Sequence, residues 1–376
     1  MLPPSLHVLG SGSIGILFAA SIRRALPTFP VTVLLRSGRG HEKRIRRKRC
    51  ASSGMEYGGI TAKVTRPNDE NETTRSLGFS ADIPAEIISS DQTAATPATM
   101  IQNLLVATKA PDVAAAVSSV LRRMDTDNGS NIIILSNGAM AVRDELRALL
   151  RKEGGGASQL NTNITLASTT HGAYRTASQD GDNGDRSNLY SVIHAGIGST
   201  FVESQPVANL FEAADLRATH ASPDEMNVLL WKKLATNCAI NPLTALHRCA
   251  NGGLANMDNE TNATMNGIVK EVSRVALLDA ADRGLSDESI QELQYERLLS
   301  FVSRVIQDTA SNKSSMLQDV LAERETEIDY LNGFVVRVGR ERCGCECTFN
   351  EEMVRRIKSF GWIGVIIGRD KLLNPL

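Results

Sequence analysis

The chain has 376 residues, and its 41 Lys plus Arg against 42 Asp plus Glu leave a formal net charge of −1. That length suits two domains, each able to bury its own core. The neutral balance gives no global field for nucleic acid or an anionic membrane, so neither partner is expected and recognition falls to local sites. Six cysteines, three of them bunched at Cys343, Cys345 and Cys347, are not the framework of a small secreted protein, and a reducing, cytoplasmic setting is expected.

MLPPSLHVLG enters strand pattern at once, without a charged and apolar leader ahead of it, and no apolar run nears the roughly 20 residues that cross a bilayer. The first 36 residues read as strand, glycine turn, helix, strand: HVLG at 7–10, SIGILFAASIRRAL at 13–26 and VTVLLR at 31–36. Gly10-Ser11-Gly12-Ser13-Ile14-Gly15 is a GxGxxG placed between a strand and a helix, the setting that gives this motif weight. The first glycine permits the turn, the second lets a pyrophosphate approach, the third lets helix and strand pack, and the helix amides face the phosphates. At the end of the second strand, where NAD enzymes carry an acid for the ribose hydroxyls, stands Arg36, with Arg39 in reserve. A guanidinium there can pair with a 2′-phosphate, which favours NADP (NADPH), unless Arg36 only ends an exposed strand.

Residues 38–100 are polar, with short strand-like pieces between the basic run HEKRIRRKR (41–49), read as a solvated helix, and the acidic PNDENETTR (67–75). NLLVATKA (103–110), the helical VAAAVSSVLRRM (113–124) and NIIILSNG (131–138) continue the alternation, which argues for a parallel, doubly wound sheet of the α/β class. Ligands of such sheets bind beyond the strands' carboxyl ends, where Thr108, Lys109, Asn137 and Gly138 fall. Solvated strand-end lysine and simple Asn-Gly turn are the alternatives for Lys109 and Asn137. A polar loop at 176–189 precedes VIHAGIGSTFVES (192–204), and from about residue 222 the period turns helical, with long helices expected at 264–284, 287–309 and 316–339. The domains are drawn as 1–215 and an all-helical 216–376.

In LWKKLATNCAINP (230–242), Lys233, Asn237 and Asn241 stand four residues apart, so at about 100° per residue they share one helix face. Apolar neighbours, among them Leu230, Trp231, Leu234 and Cys238, make this a polar stripe on a buried helix: an anion site or a buried polar network. Lys232 points about 100° away and is read as solvated.

With the glycine turn, NLLVATKA, SNG, THGAYR (170–175), WKKLATNCAINPLTAL (231–246), CANGGL (249–254) and SSMLQDVLAERETEIDYLNG (314–333) in this order, the chain resembles the ketopantoate reductase family from about residue 7 to 340. The resemblance implies a Rossmann domain followed by a helical one, and NADPH-dependent reduction of 2-dehydropantoate to pantoate on the way to pantothenate and coenzyme A. It implies Lys233 as proton donor and Asn137, Asn237, Asn241, Asn251 and Ser315 as substrate contacts. Lys109, Asn137, Ala173 and Glu327 match cofactor-contacting positions. For Asn251 a plain turn, for Ala173 a strand-end loop, for Ser315 a capping box with Gln318, and for Glu327 a helical ion pair with Arg324 remain open. The readings held beside it are a reductase of another branched 2-oxo acid and a non-catalytic NADP-binding regulator; a homodimer is compatible with each.

The segment after residue 340 departs from the family pattern, and the last sixteen residues have no recognised counterpart. Cys343, Cys345 and Cys347 lack a second ligand pair at zinc spacing and are read as free thiols, with no metal expected. The polar stretches at 60–100 and 176–189 read as loop expansions.

Overall fold

The computed structural model describes residues 1–36, 46–49, 56–66, 78–88, 100–153, 161–175 and 189–366. Chain contacts divide it into two compact units, Met1–Ser222 and Pro223–Leu376. The first unit opens with β1 (Leu6–Leu9), α1 (Ser13–Ala25) and β2 (Val31–Arg36), then β3 (Arg46–Arg49), β4 (Glu56–Thr65), β5 (Phe79–Ile88) and β6 (Asn103–Val106). It continues with α2 (Val113–Ser118), β7 (Ser130–Ile134), α3 (Ala139–Glu153), β8 (Thr162–Thr169), β9 (Gly172–Arg175), β10 (Leu189–Gly196) and β11 (Thr200–Val202), and closes with α4 (Gln205–Ala213) and β12 (Ala218–His220).

The strands β5, β2, β1, β6, β7 and β8 lie side by side and all parallel. In chain order this is the Rossmann sequence 3-2-1-4-5-6, whose direction reverses between β1 and β6. Covering of both sheet faces explains why β1 and β6 are buried at every residue and read as continuous apolar runs. Antiparallel β11 extends one edge from β8, and β4 extends the other from β5, followed by β10 and β9. The sheet curls so that α1 packs against β2, β4, β5, β9 and β10. Phe18 of α1 meets Phe211 of α4 edge to face with ring centroids 5.0 Å apart.

Two expectations for residues 38–100 are corrected. The described part of the basic run, Arg46–Arg49, is strand β3, not helix: it pairs antiparallel with Glu56–Gly59 of β4. Likewise 56–65 and 79–88 are ten-residue strands of the sheet rather than loop expansions. Residues 41–45, 67–75 and 176–188 lie outside the described residues.

The second unit contains α5 (Pro223–His247), α6 (Asn259–Asp282), α7 (Asp287–Glu292), α8 (Tyr295–Asp308), α9 (Ser315–Leu321), α10 (Asn332–Arg342) and α11 (Thr348–Ile366). Helix α5 is apolar nearly all round, as a helix packed on several sides must be, and it touches α6, α8, α9 and α11. Asp224 and Glu225 in its first turn suit the positive end of its dipole.

The helices expected at 287–309 and 316–339 are each broken in two. After α9 the chain turns with Glu323 at φ 51°, while Arg324 N–H bonds to Asp319 O at 2.8 Å and Glu323 N–H to Val320 O at 3.1 Å. This is a Schellman stop built without the usual glycine, which is why no sequence signal marked it. The segment after residue 340 forms α11, whose first amides are caught by buried Glu271 of α6: Phe349 N–H and Asn350 N–H each lie 3.0 Å from its carboxylate.

Candidate functional site

In the first unit the site begins at the switch point. Gly10 sits at φ +117°, and a side chain there would meet Ala107 and Thr108 of the loop after β6 at 3.0 Å. A Cβ on Gly15 would lie 2.4 Å from Gly10 O. Both glycines are therefore demanded by the protein's own backbone. At Gly12, which has φ −66° and precedes α1, a Cβ would find only Ala107 O at 3.7 Å, an ordinary contact. No described residue requires glycine at this position, so the open space above it suits a ligand lying against the chain. Ser13, Ile14 and Gly15 begin α1, whose first turn carries no acidic residue to compete with an anion.

Four further predicted positions are described in the first unit. Lys109, exposed, precedes the 3-10 turn Ala110–Asp112 in the β6 loop that touches Gly10. Ala173 lies inside β9 opposite His194, not in a strand-end loop. Two residues on, Arg175 hydrogen-bonds through Nη2 to Ser11 O of the glycine turn and lies over the Tyr190 ring at 5.0 Å, a contact that motif reading missed. The His171 beside this strand is structural: it is buried, its Nδ1 meets His194 Nε2 at 2.9 Å, and its Nε2 meets Leu216 O at 3.0 Å. Burial first, then neighbouring His171, pushes His194 down to about 4. Asn137 is half-buried in the turn between β7 and α3, with Gly138 at φ 63°, so the turn and its place beyond a strand's carboxyl end both hold. Arg36 ends β2 and its Nη2 lies 3.1 Å from Asp112 Oδ1; Arg39 lies outside the described residues.

In the second unit Lys233, Asn237 and Asn241 face one way along α5. Lys233 keeps some surface, yet protein surrounds it densely enough that desolvation pulls its ammonium down to about 8, against the opposing pull of Glu327. Neither carboxamide of the stripe hydrogen-bonds to another described residue, although Asn241 is only 6 % exposed. Lys232 is not merely solvated: its ammonium pairs with Glu292 and lies 5.7 Å from the Phe301 ring.

The remaining predicted residues of the second unit lie in the segments between α5 and α10. Glu327 is 7 % exposed and stands just before the 3-10 turn Ile328–Tyr330; Arg324, its expected helical partner, pairs with Asp319 at 3.0 Å beyond the end of α9. The cap of α9 is Ser314, not Ser315: Ser314 Oγ accepts from Leu317 N–H at 3.1 Å, and Gln318 Nε2 reaches Lys313 O at 2.9 Å. Ser315 is exposed and has no part in that cap. Thr244, one turn beyond Asn241, donates to Ser314 Oγ at 2.7 Å and so seats the start of α9 beside the stripe. Asn251 donates through its backbone to Asn312 O and through Nδ2 to Thr309 Oγ1 at 2.8 Å, while its buried Oδ1 has no partner among the described residues. Ser314 and Thr244 were missed by sequence reading, which placed the capping box at Ser315 and Gln318.

Among the described residues no group of three or more His, Cys, Asp or Glu side chains is placed to hold a metal, and no helix is long and apolar enough to cross a membrane. Cys343, Cys345 and Cys347 are free, and burial pushes Cys347 up to about 12.

A Rossmann sheet with a glycine turn open at its second glycine, joined in one chain to a helical unit bearing a partly desolvated lysine, defines a dinucleotide-dependent oxidoreductase. The chain matches the family described as "Ketopantoate reductase PanE/ApbA" over residues 6–203 and "Ketopantoate reductase PanE/ApbA C terminal" over 225–360, and it belongs to that family. A 2-dehydropantoate 2-reductase from Vibrio cholerae is 34% identical over 264 residues, 68% of this chain and 76% of the relative. Two solved structures share the fold. A PanE/ApbA family ketopantoate reductase from Ralstonia eutropha has a TM-score of 0.67 at 19% identity, covering 96% of this chain and 99% of its own. A D-mandelate dehydrogenase with NADH and anilino(oxo)acetate has a TM-score of 0.66 at 17% identity, with the same two coverages, 96% and 99%. Family membership makes the chain an oxidoreductase that works with a nicotinamide dinucleotide on a small molecule.

Proposed function

We propose that the chain reduces 2-dehydropantoate to pantoate with NADPH, with Lys233 as the proton donor. The observation that carries this reading is the α5 face, where a lysine lowered to about 8 is followed at one and two turns by two carboxamides that bond to no other described residue. The nicotinamide, when bound, supplies the hydride. Gly10, Gly12 and Gly15 with the amides of Ser11, Ser13 and Ile14 hold the pyrophosphate, and Arg36 meets the 2′-phosphate with Lys109 nearby. Ala173 and Asn137 line the same cofactor.

Charge grows on the keto oxygen as its carbon is reduced, and the Lys233 ammonium delivers a proton to that oxygen, a contribution of about 10² to 10⁴ in rate. A lysine near 8 is about nine-tenths protonated at neutral pH yet releases its proton more readily than a solvated one. Asn237, Asn241, Asn251 and Ser315 hold the carboxylate and hydroxyl of the substrate without adding a second cation that would lower Lys233 further. Glu327, buried and felt by Lys233, keeps the ammonium charged and borders the cofactor. A cytoplasmic homodimer is part of this reading, to be tested by cell fractionation and sedimentation.

The second reading, a reductase of another branched 2-oxo acid, draws on the shared fold of the D-mandelate dehydrogenase. Loss of reduced-cofactor absorbance with purified protein, NADPH and a panel of 2-oxo acids separates the two. Turnover of ketopantoate above all others supports the first. Turnover only of a different acid moves the chain to the second, and turnover of none sinks both.

A further inference from the structure

Helix α5 contains a proline, Pro242, immediately after Asn241. A proline inside a helix has no N–H for the carbonyl four residues earlier, and its ring crowds that same carbonyl. Here the carbonyl is that of Cys238, which directly follows Asn237. The rung missing from the helical ladder therefore lies in the one turn that carries both carboxamides. A buried carbonyl left without a donor is destabilising, so the structure must supply one from elsewhere.

It does so from the start of α10. Asn332, fully buried at 0 % exposure, donates through Nδ2 to Cys238 O at 3.0 Å and to Asn350 Oδ1 at 3.0 Å. The orientation of this amide is dictated by chemistry, because a carbonyl can only accept. Asn350, at 0 % exposure, in turn donates through Nδ2 to Glu271 Oε2 at 2.8 Å, and Glu271 is the carboxylate that caps α11. The donor and acceptor senses agree along the whole relay, from Glu271 through Asn350 and Asn332 to the carbonyl released by Pro242.

We infer that Asn332 is a positioning residue for the reductase: it replaces the backbone bond that Pro242 deletes and so fixes the turn of α5 presenting Asn237 and Asn241 beside Lys233. Asn332 touches neither substrate nor cofactor in this account and acts only through the Cys238 carbonyl. The inference rests on the assignment of that face to the oxo acid. The relay also gives the divergent C-terminal segment a task, since α11 brings Asn350 to Asn332.

The test is a cycle of N332A, P242A and the double variant in the full-length enzyme. Removing Asn332 should lower kcat/KM for ketopantoate about tenfold or more while the KM for NADPH moves less than about twofold. Substituting Pro242 restores the backbone N–H, so within the P242A background the further change N332A should cost less than about threefold. Hydrogen exchange of the backbone over residues 237–247 reads the support without any substrate. It should quicken in N332A and return toward the parental rate in the double variant. Should N332A fail to fold, the double variant against P242A alone still supplies the exchange comparison. Equal losses of kcat/KM in both backgrounds, or exchange unchanged by N332A, would overturn the inference. If the parental enzyme turns over no ketopantoate, the substrate reading fails while the exchange result still decides this one.

Discussion

The two units build their sites from different material. In Met1–Ser222 the proposed cofactor cradle is made of backbone: glycines that two close approaches demand, a third that no described residue demands, and the bare N-terminus of α1. In Pro223–Leu376 the proposed site centres on side chains along one helix, and that helix is braced by bonds to residues far away in sequence, as Thr244 to Ser314 and the Cys238 carbonyl to Asn332. Backbone sites leave a local sequence mark and tolerate little substitution. Side-chain sites leave a periodic mark, and their support is invisible until the chain is folded.

The largest expected effect lies at Lys233. K233M should cut kcat by about 10² to 10⁴ while leaving NADPH binding nearly intact, checked by steady-state rates and cofactor titration. The same change should stabilise the protein. Desolvation lowers the folded pKa to about 8 from the usual 10.5, so below pH 8 folding carries the cost of a poorly solvated ammonium. The folded protein binds fewer protons than the unfolded chain between those values, and that cost is relieved only as pH rises through them. Removing the charge should raise stability at neutral pH by about 1–3 kcal/mol, seen as a higher midpoint in denaturant. A variant that is inactive yet no more stable would mean that Lys233 is not strained by burial.

The pH profile sharpens the same point. Ketopantoate reduction should fall as pH rises through about 8, where Lys233 loses the proton it must give, and pantoate oxidation should rise through the same range. Two profiles bending in the same direction would remove the acid–base role.

The glycines test the backbone half of the comparison. G15A forces a Cβ to within 2.4 Å of Gly10 O and should destabilise the first unit by about 1–3 kcal/mol. G12A meets nothing closer than 3.7 Å and should cost at most about 1 kcal/mol as a changed helix cap, yet raise the KM for NADPH about tenfold or more. Thermal melts beside cofactor titration separate the two, and similar melting losses in both variants would break the distinction between protein-demanded and ligand-demanded glycines.

What could be read in advance follows the same line. Strand β2 and the Lys233 stripe were legible because period and glycine spacing are local, and Rossmann order followed from the alternation. Strand β3 was not: Arg46–Arg49 has the composition of a solvated helix, and only the ladder offered by β4 makes it a strand, with charge suited to a sheet edge. The break after Leu321 was hidden because Glu323, not glycine, takes the left-handed position. The alternative capping box was placed on Ser315 while its neighbour Ser314 does the capping, a difference of one residue that the bond from Leu317 N–H decides.

The last and smallest effect is at the ion pair between Arg36 and Asp112, and it is read against the loss of Arg36 itself. R36A should narrow the preference for NADPH over NADH about tenfold to a hundredfold, the worth of a charge-assisted bond. Its partner should act in the opposite sense. Asp112 lies 3.1 Å from Arg36, half-exposed, where an ion pair is worth roughly 0.2–1 kcal/mol. That carboxylate competes for the guanidinium and sets a negative charge beside the 2′-phosphate, so D112N should raise the NADPH-to-NADH ratio of kcat/KM by about 1.5- to 5-fold. The gain should shrink as salt screens the charge. A ratio that falls instead would mean that Asp112 aims Arg36 at the phosphate, and the ion pair would then belong to the cradle rather than oppose it.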